Sequence, residues 1–244
     1  MIMLQKWILL FAFFLTLQLS AQIRPQSDPN SVLQGIKFSN VSFGVKISPV
    51  ISWLSVQNND LQTDGATLKY GLGLVALYEV NPLLSVVTGI NYNTMGGYVF
   101  DSLSLNTTTN KDNYRINYSM IEVPLGIKVR TQAINRISYY LQGGISTGFV
   151  ITANEKHVST LPSTVLPPVD IINITSASVA GCFFGIGTAY KIVGNIELFG
   201  ELNYKTSLTN IANADEYAND RTRNYTSPVR IFPAGMEFSV GLMF

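Results

Sequence analysis

The stretch Gly235-Met236-Glu237-Phe238-Ser239-Val240-Gly241-Leu242-Met243-Phe244 decides how this chain is built. Met236, Phe238, Val240, Leu242 and Phe244 take every second position, with Gly235, Glu237, Ser239, Gly241 and Met243 between them. Successive side chains of an extended strand point to opposite faces. The period of two therefore predicts a strand with one apolar face and one face of small and charged residues.

The same period recurs upstream. Phe184, Ile186, Thr188, Tyr190 and Ile192 alternate with Phe183, Gly185, Gly187, Ala189 and Lys191. Ile196, Leu198, Leu202 and Tyr204 oppose Glu197, Phe199, Glu201, Asn203 and Lys205. Ile121, Val123, Leu125, Ile127 and Val129 oppose Glu122, Pro124, Gly126, Lys128 and Arg130. Eight such segments are predicted, at about 41–54, 68–80, 83–99, 114–130, 137–152, 178–193, 195–209 and 235–244. None carries a helical period.

Two features decide which face meets water. Connections after the second, fourth and sixth segments are short (Asn81-Pro82, Ala133 to Asn135, and Gly194), whereas the others are long and polar. Short periplasmic turns alternating with long outer loops characterise a membrane barrel. The second feature is a pair of aromatic belts on the apolar face. Trp53, Tyr70, Tyr92, Tyr118, Phe149 and Tyr204 are expected near the outer edge, and Phe43, Tyr78, Tyr139, Tyr190 and Phe244 near the inner one. The fold class predicted is all-β, a transmembrane antiparallel up-and-down barrel of about eight strands in contact with outer-membrane lipid. Gly96-Gly97 in the long third strand is expected to allow a bend or bulge beyond the bilayer edge.

Composition agrees. Only 13% of the 244 residues are charged while 47% are hydrophobic, against the roughly 25% charge of ordinary soluble domains. At the N-terminus, Lys6 precedes an apolar run from Trp7 to Leu19, and Ser20-Ala21 offers a cleavage point before Gln22. Residues 1–21 read as a signal peptide, 22–39 as a periplasmic linker with Pro25 and Pro29, and 40–244 as the barrel. The predicted location is the outer membrane of a diderm bacterium. Loss of Lys6 leaves 15 basic and 15 acidic residues, a balance that argues against nucleic acid as a partner. The single Cys182 cannot form an internal disulfide.

Eight strands enclose a space just wide enough for side chains to fill. By this register Lys46, Glu79, Glu122, Lys128, Arg130, Lys191, Glu197, Glu201, Lys205 and Glu237 project inward, with Lys69. Charges cannot face hydrocarbon, and inside they can pair across the barrel. A self-satisfied polar plug and an ion- or ligand-carrying lumen both fit the pattern.

Catalytic patterns are weak. His157, the only histidine, is placed in the loop after the fifth segment near Ser159, Thr160 and Ser163, an ordinary loop composition. Cys182 falls on the lipid-facing phase. Asp215, Glu216 and Asp220 lack the regular spacing of a calcium loop and are followed by Arg221 and Arg223. No catalytic, cofactor or metal site is predicted.

Phe43-Gly44-Val45-Lys46, Tyr70-Gly71-Leu72-Gly73-Leu74, Thr88-Gly89-Ile90-Asn91-Tyr92, Ile121-Glu122-Val123-Pro124-Leu125-Gly126-Ile127-Lys128, Gly185-Ile186-Gly187 and Val240-Gly241-Leu242 together resemble the PorT-like outer-membrane barrels. The resemblance spans about residues 40–244, and the Glu-Val-Pro-Leu strand is its most specific element. It implies a barrel of roughly eight strands; PorT itself is linked to secretion across the outer membrane and, in related systems, to gliding motility. It transfers no catalytic residues.

The function expected is that of a non-enzymatic component of envelope assembly or protein secretion, meeting envelope or secretion proteins through loops at about 153–177 and 210–234. The alternatives are a narrow channel or binding barrel for small solutes, an outer-membrane hydrolase or acyltransferase, and a soluble lipocalin-like binder. The strand ending in Phe244 is expected to be read by the barrel assembly machinery.

Overall fold

A computed structural model describes residues 40–57, 61–101, 113–158, 167–213 and 229–244. The predicted signal segment and linker lie outside these residues. The strands are β1 (Val41–Gln57), β2 (Leu61–Gly65), β3 (Thr67–Asn81), β4 (Leu84–Asp101), β5 (Asn113–Arg130), β6 (Ile137–Val158), β7 (Val169–Asp170), β8 (Ser178–Val193), β9 (Ile196–Ser207) and β10 (Arg230–Met243). Eight of them form a closed antiparallel ring in the order β1, β3, β4, β5, β6, β8, β9, β10. The seam is the β1–β10 pair, in register from Gly44 opposite Met243 to Gln57 opposite Arg230. Phe43 and Phe244 exchange backbone hydrogen bonds at its inner end. Closure pairs every neighbouring strand, as a spanning sheet requires where no water can satisfy an edge.

The inner connections are tight for local reasons. Asn81 accepts the backbone N–H groups of Leu83 and Leu84 on its side-chain oxygen, both at 2.9 Å. Between β5 and β6, Ile134 and Ile137 bond each other's backbones across Asn135-Arg136, whose φ angles are 50° and 70°. Two positive φ values in a two-residue loop match the right-handed strand twist. Gly194, at φ 57°, turns β8 into β9.

The apolar phase faces outward. Val45, Ile47, Leu72, Leu74, Ile127, Ile186 and Val240 are all exposed, and Leu74 shows 59% of its surface. From Phe43 to Trp53 a strand tilted by about 40° climbs about 25 Å, the height of the lipid-facing band of a membrane barrel. Tyr70, Tyr92, Phe149 and Tyr204 are exposed at its outer edge, where Trp53 packs on Tyr204 with ring centroids 6.3 Å apart. Phe43, Tyr78, Tyr139, Tyr190 and Phe244 are exposed at the inner edge.

Tyr118 departs from the expected belt. It is 3% exposed and belongs to the barrel's interior. Its even number puts it in phase with inward Glu122, not with outward Ile121. The wall continues above the lipid there, and its inner face is apolar.

Strand lengths also differ from expectation at the outer end. β6 runs on to Val158, so His157 lies in a strand rather than a loop, and β10 begins at Arg230, earlier than position 235. The short β2 and β7 pair with the outer ends of β4 and β6.

β4 crosses inward as it leaves the bilayer. Met95, Gly96 and Gly97 are consecutively buried. The Ser52 hydroxyl donates to the Gly96 carbonyl at 2.8 Å and accepts its N–H at 2.9 Å. Thr94 makes the same double contact with the Tyr70 backbone. Side chains thus replace ladder bonds where β3 and β4 separate. A Cβ on Gly97 would sit 2.9 Å from the Leu54 backbone nitrogen and 3.0 Å from its Cγ. Gly97→Val is expected to destabilise the barrel by about 1–3 kcal/mol, the usual cost of overpacking. An unchanged urea midpoint after refolding into lipid vesicles would count against this close crossing.

Candidate functional site

The lumen is the most organised assembly in the molecule, and it is built in layers. Its middle is ionic. Lys46 on β1 donates to Glu237 Oε1 on β10 at 2.8 Å and to Glu201 Oε1 on β9 at 3.2 Å. Lys205 on β9 pairs with Glu237 Oε2 at 2.7 Å and with Glu122 Oε2 on β5 at 3.0 Å. Asn93 donates to Glu122. The Tyr140 hydroxyl and the Gln142 amide donate to Glu201 Oε2 at 3.1 and 3.0 Å, and Gln142 also donates to Asn203 at 2.7 Å. Ser239 donates to Glu237 Oε1 at 3.0 Å and shares a hydrogen bond with Ser48.

The strands place these groups by parity. Lys46 lies opposite Gly241 and Gly73, and Lys205 opposite Gly235. Lys46 can cross the lumen because both its neighbours in register lack a side chain, and Lys205 has such room on its β10 side, with Phe183 on the other.

Lys128 reaches inward near the inner end, its Nζ 4.1 Å from the centre of the Tyr140 ring and 5.8 Å from that of Phe199. A desolvated ammonium gains from such an aromatic face. Arg130 and Glu197 pair at 2.5 Å at the inner rim, both partly exposed.

Glu79 and Lys191 are not part of the network. Both lie where their strands leave the barrel's inner end, Glu79 half-buried and Lys191 exposed. Neither forms a salt bridge with another described residue. At the rim the inward phase no longer means enclosure, since water reaches the side chain.

The ionic layer lies between two apolar ones, which the alternation pattern does not reveal. Towards the inside are Leu77, Val87, Tyr140, Phe183, Ala189, Phe199 and Met243. Towards the outside are Leu54, Met95, Val99, Ile116, Tyr118, Met120 and Ile231, roofed by Ile171, Ile211 and Ala212 from the connections after β6 and β9. Two cavities beside the ionic layer measure about 30 Å³ each, room for a water or two.

Of the weaker candidates, His157 sits opposite Tyr114, their rings edge-on at 5.1 Å. Cys182 is half-buried on β8 as a free thiol. Ser159, Thr160, Ser163, Asp215, Glu216 and Asp220 lie outside the described residues.

A closed eight-stranded barrel with an apolar, ring-edged exterior and a neutralised ionic interior defines a small outer-membrane barrel. The family model described as outer membrane protein beta-barrel domain matches residues 21–213, and the chain belongs to that family. No curated protein matches the chain. Among solved structures, it is similar to the outer membrane protein OprG of Pseudomonas aeruginosa, with 11% identity, 83% of this chain and 96% of that chain covered, and a TM-score of 0.47. Neisserial surface protein A is similar at 11% identity, with 82% and 95% covered and a TM-score of 0.44. A major outer membrane protein from Thermus thermophilus is similar at 11% identity, with 84% and 99% covered and a TM-score of 0.44.

Proposed function

We propose that this barrel is a sealed, non-enzymatic component of envelope assembly or protein secretion, and that its outer connections serve as its contact surfaces. The observation that carries the reading is the filled lumen. An ionic layer closed by its own partners and covered on both sides by apolar side chains leaves little room for a solute to pass. β4, β5 and β6 also continue well past the outer aromatic belt as a paired sheet. Such an extension gives the outer connections a firm base. The resemblance to PorT-like barrels supports the secretion branch of this proposal.

Two measurements test it. Deleting the gene is expected to weaken the envelope or reduce the export of secreted proteins. Unchanged export together with unchanged integrity would overturn the accessory role. In planar bilayers the folded protein is expected to show no conductance steps. Steps that change with Glu122→Gln or Glu201→Gln would establish a narrow channel instead.

A further inference from the structure

Three cations gather on the outward face of the wall just above the outer aromatic belt. Tyr98, Arg115 and Lys156 stand directly opposite one another on β4, β5 and β6, and the row below is Gly96, Asn117 and Asn154. Lys69 enters from β3 through the opening beside Gly96-Gly97 and donates to the Asn117 side chain. Arg115 donates to the Thr67 hydroxyl at 3.3 Å and lies 5.7 Å from the centre of the Tyr98 ring.

This arrangement opposes its own stability. Like charges directly across a strand pair destabilise a sheet, and Arg115 faces Lys156 in that way. Lys69 and Arg115 also lie within Coulombic range of each other. Among the described residues, no carboxylate pairs with Lys69, Arg115 or Lys156. Asp170, the acid nearest by register, turns its carboxylate to the Ile172 N–H at 2.9 Å. Asp64, in the irregularity between Thr63 and Gly65, forms no ion pair with the three. The Arg115 Nε is enclosed without a hydrogen bond among the described residues.

The lumen shows the contrast: there every ammonium except Lys128 has a carboxylate, and Lys128 has an aromatic face. The outer cluster has positive charge, amide donors and an unused guanidinium nitrogen, and among the described residues no carboxylate neutralises them. Its depth says what does. The Thr94 hydroxyl, two residues below Gly96, bonds the Tyr70 backbone, and Leu68 and Tyr70 are exposed alongside on the apolar face. At about 3.3 Å per residue along tilted strands, the three cations lie about 5–10 Å above the ring of Tyr70. That is the height of lipid headgroups rather than of acyl chains.

We propose that Lys69, Arg115 and Lys156 form a binding site for the phosphate of an outer-leaflet lipid, with Asn117 and Asn154 as amide donors and Tyr70 against the acyl chains. A guanidinium and two ammonium groups suit a phosphate's several oxygens, and a lipid already held at this level loses less freedom on binding than a soluble anion.

Native mass spectrometry of the detergent-extracted barrel tests the site, with bisphosphorylated lipid A and its dephosphorylated form as probes. The phosphorylated lipid is expected to be retained about tenfold more strongly. K69Q/R115Q/K156Q is expected to abolish that preference while keeping the heat-modifiable gel mobility of a folded barrel. Should the triple variant misfold, Arg115→Gln alone is expected to reduce the preference. Neutralising Arg136 and Lys191 at the inner rim is expected to leave it intact. Equal retention of both lipids, or a folded triple variant that keeps the preference, would overturn the proposal. Displacement of the lipid by millimolar inorganic phosphate would assign the site to a free anion, and displacement by heparin would assign it to a soluble glycan. Either result would reject a lipid site.

Discussion

Glu237→Gln is expected to destabilise the folded barrel by about 3–5 kcal/mol, the usual consequence of removing one partner from a buried ion pair. Glu237 is 1% exposed and holds both Lys46 and Lys205, at 2.8 and 2.7 Å. The interior balances three lysines, Lys46, Lys128 and Lys205, against three glutamates, Glu122, Glu201 and Glu237. Gln keeps the volume and some hydrogen bonding but leaves one positive charge enclosed without a counter-charge. Lys46 would then depend on Glu201 at 3.2 Å and Lys205 on Glu122 at 3.0 Å. If the loss comes from that surplus, removing a lysine as well should relieve it. The double variant Lys46→Met/Glu237→Leu is expected to be more stable than the two single effects predict, by at least about 1 kcal/mol of coupling. Urea unfolding in lipid vesicles, followed by gel mobility, measures Glu237→Gln and the four proteins of the Lys46→Met/Glu237→Leu cycle. Additive effects, or a Glu237→Gln barrel within about 0.5 kcal/mol of the parent, would show that the network contributes nothing beyond filling space.

The parity behind this network was legible in the sequence because, at bilayer depth, the two faces of the wall meet opposite solvents. Ile121, Val123, Leu125, Ile127 and Val129 meet lipid while Glu122 and Lys128 meet the lumen, so polarity and direction carry the same information. Above the lipid the correspondence reverses. In the same β5, Tyr114, Ile116, Tyr118 and Met120 pack inward, and Arg115 and Asn117 face outward. The strand keeps its phase while the apolar set changes sides at the adjacent pair Met120-Ile121. β1 does so at Trp53-Leu54, where Trp53 packs on exposed Tyr204 and Leu54 is wholly buried. Assigning Tyr118 to the lipid belt assumed that apolar means outward along the whole strand. Two consecutive apolar residues where an alternation changes phase are the signal that could have revealed both the bilayer edge and the outer apolar core.

Other features were beyond the reach of a period of two. β2 and β7 have five and two residues and owe their extension to pairing with β4 and β6. The inward crossing of β4 was foreshadowed by Gly96-Gly97, but its acceptor, the Ser52 hydroxyl, stands 44 residues away. The outer cations were individually visible in the sequence. Their convergence depends on the β4–β5–β6 register and on the opening between β3 and β4, and neither is a local property.

Leu74→Arg is expected to cost about 2–4 kcal/mol of folding free energy in a bilayer, and Leu68→Arg no more than about 1 kcal/mol. Both leucines lie on the outward face of β3 and both are well exposed. Their depths differ. Leu74 stands midway between Tyr70 and Tyr78, the rings that mark the two edges on this strand, whereas Leu68 lies beyond Tyr70 on the outer side. A guanidinium at Leu74 would have to leave water for hydrocarbon or draw water and headgroups inward. At Leu68 it can extend into the headgroup layer. Were the exposed face to meet water, both substitutions would be close to neutral, since surface changes away from special features usually fall within about 0.5 kcal/mol. Equal effects at the two sites in refolding titrations would show that the apolar face is not turned to lipid. A large effect at Leu74 with a small one at Leu68 requires a bilayer whose middle lies level with Leu74. That outcome also fixes the headgroup height against which the three outer cations are placed.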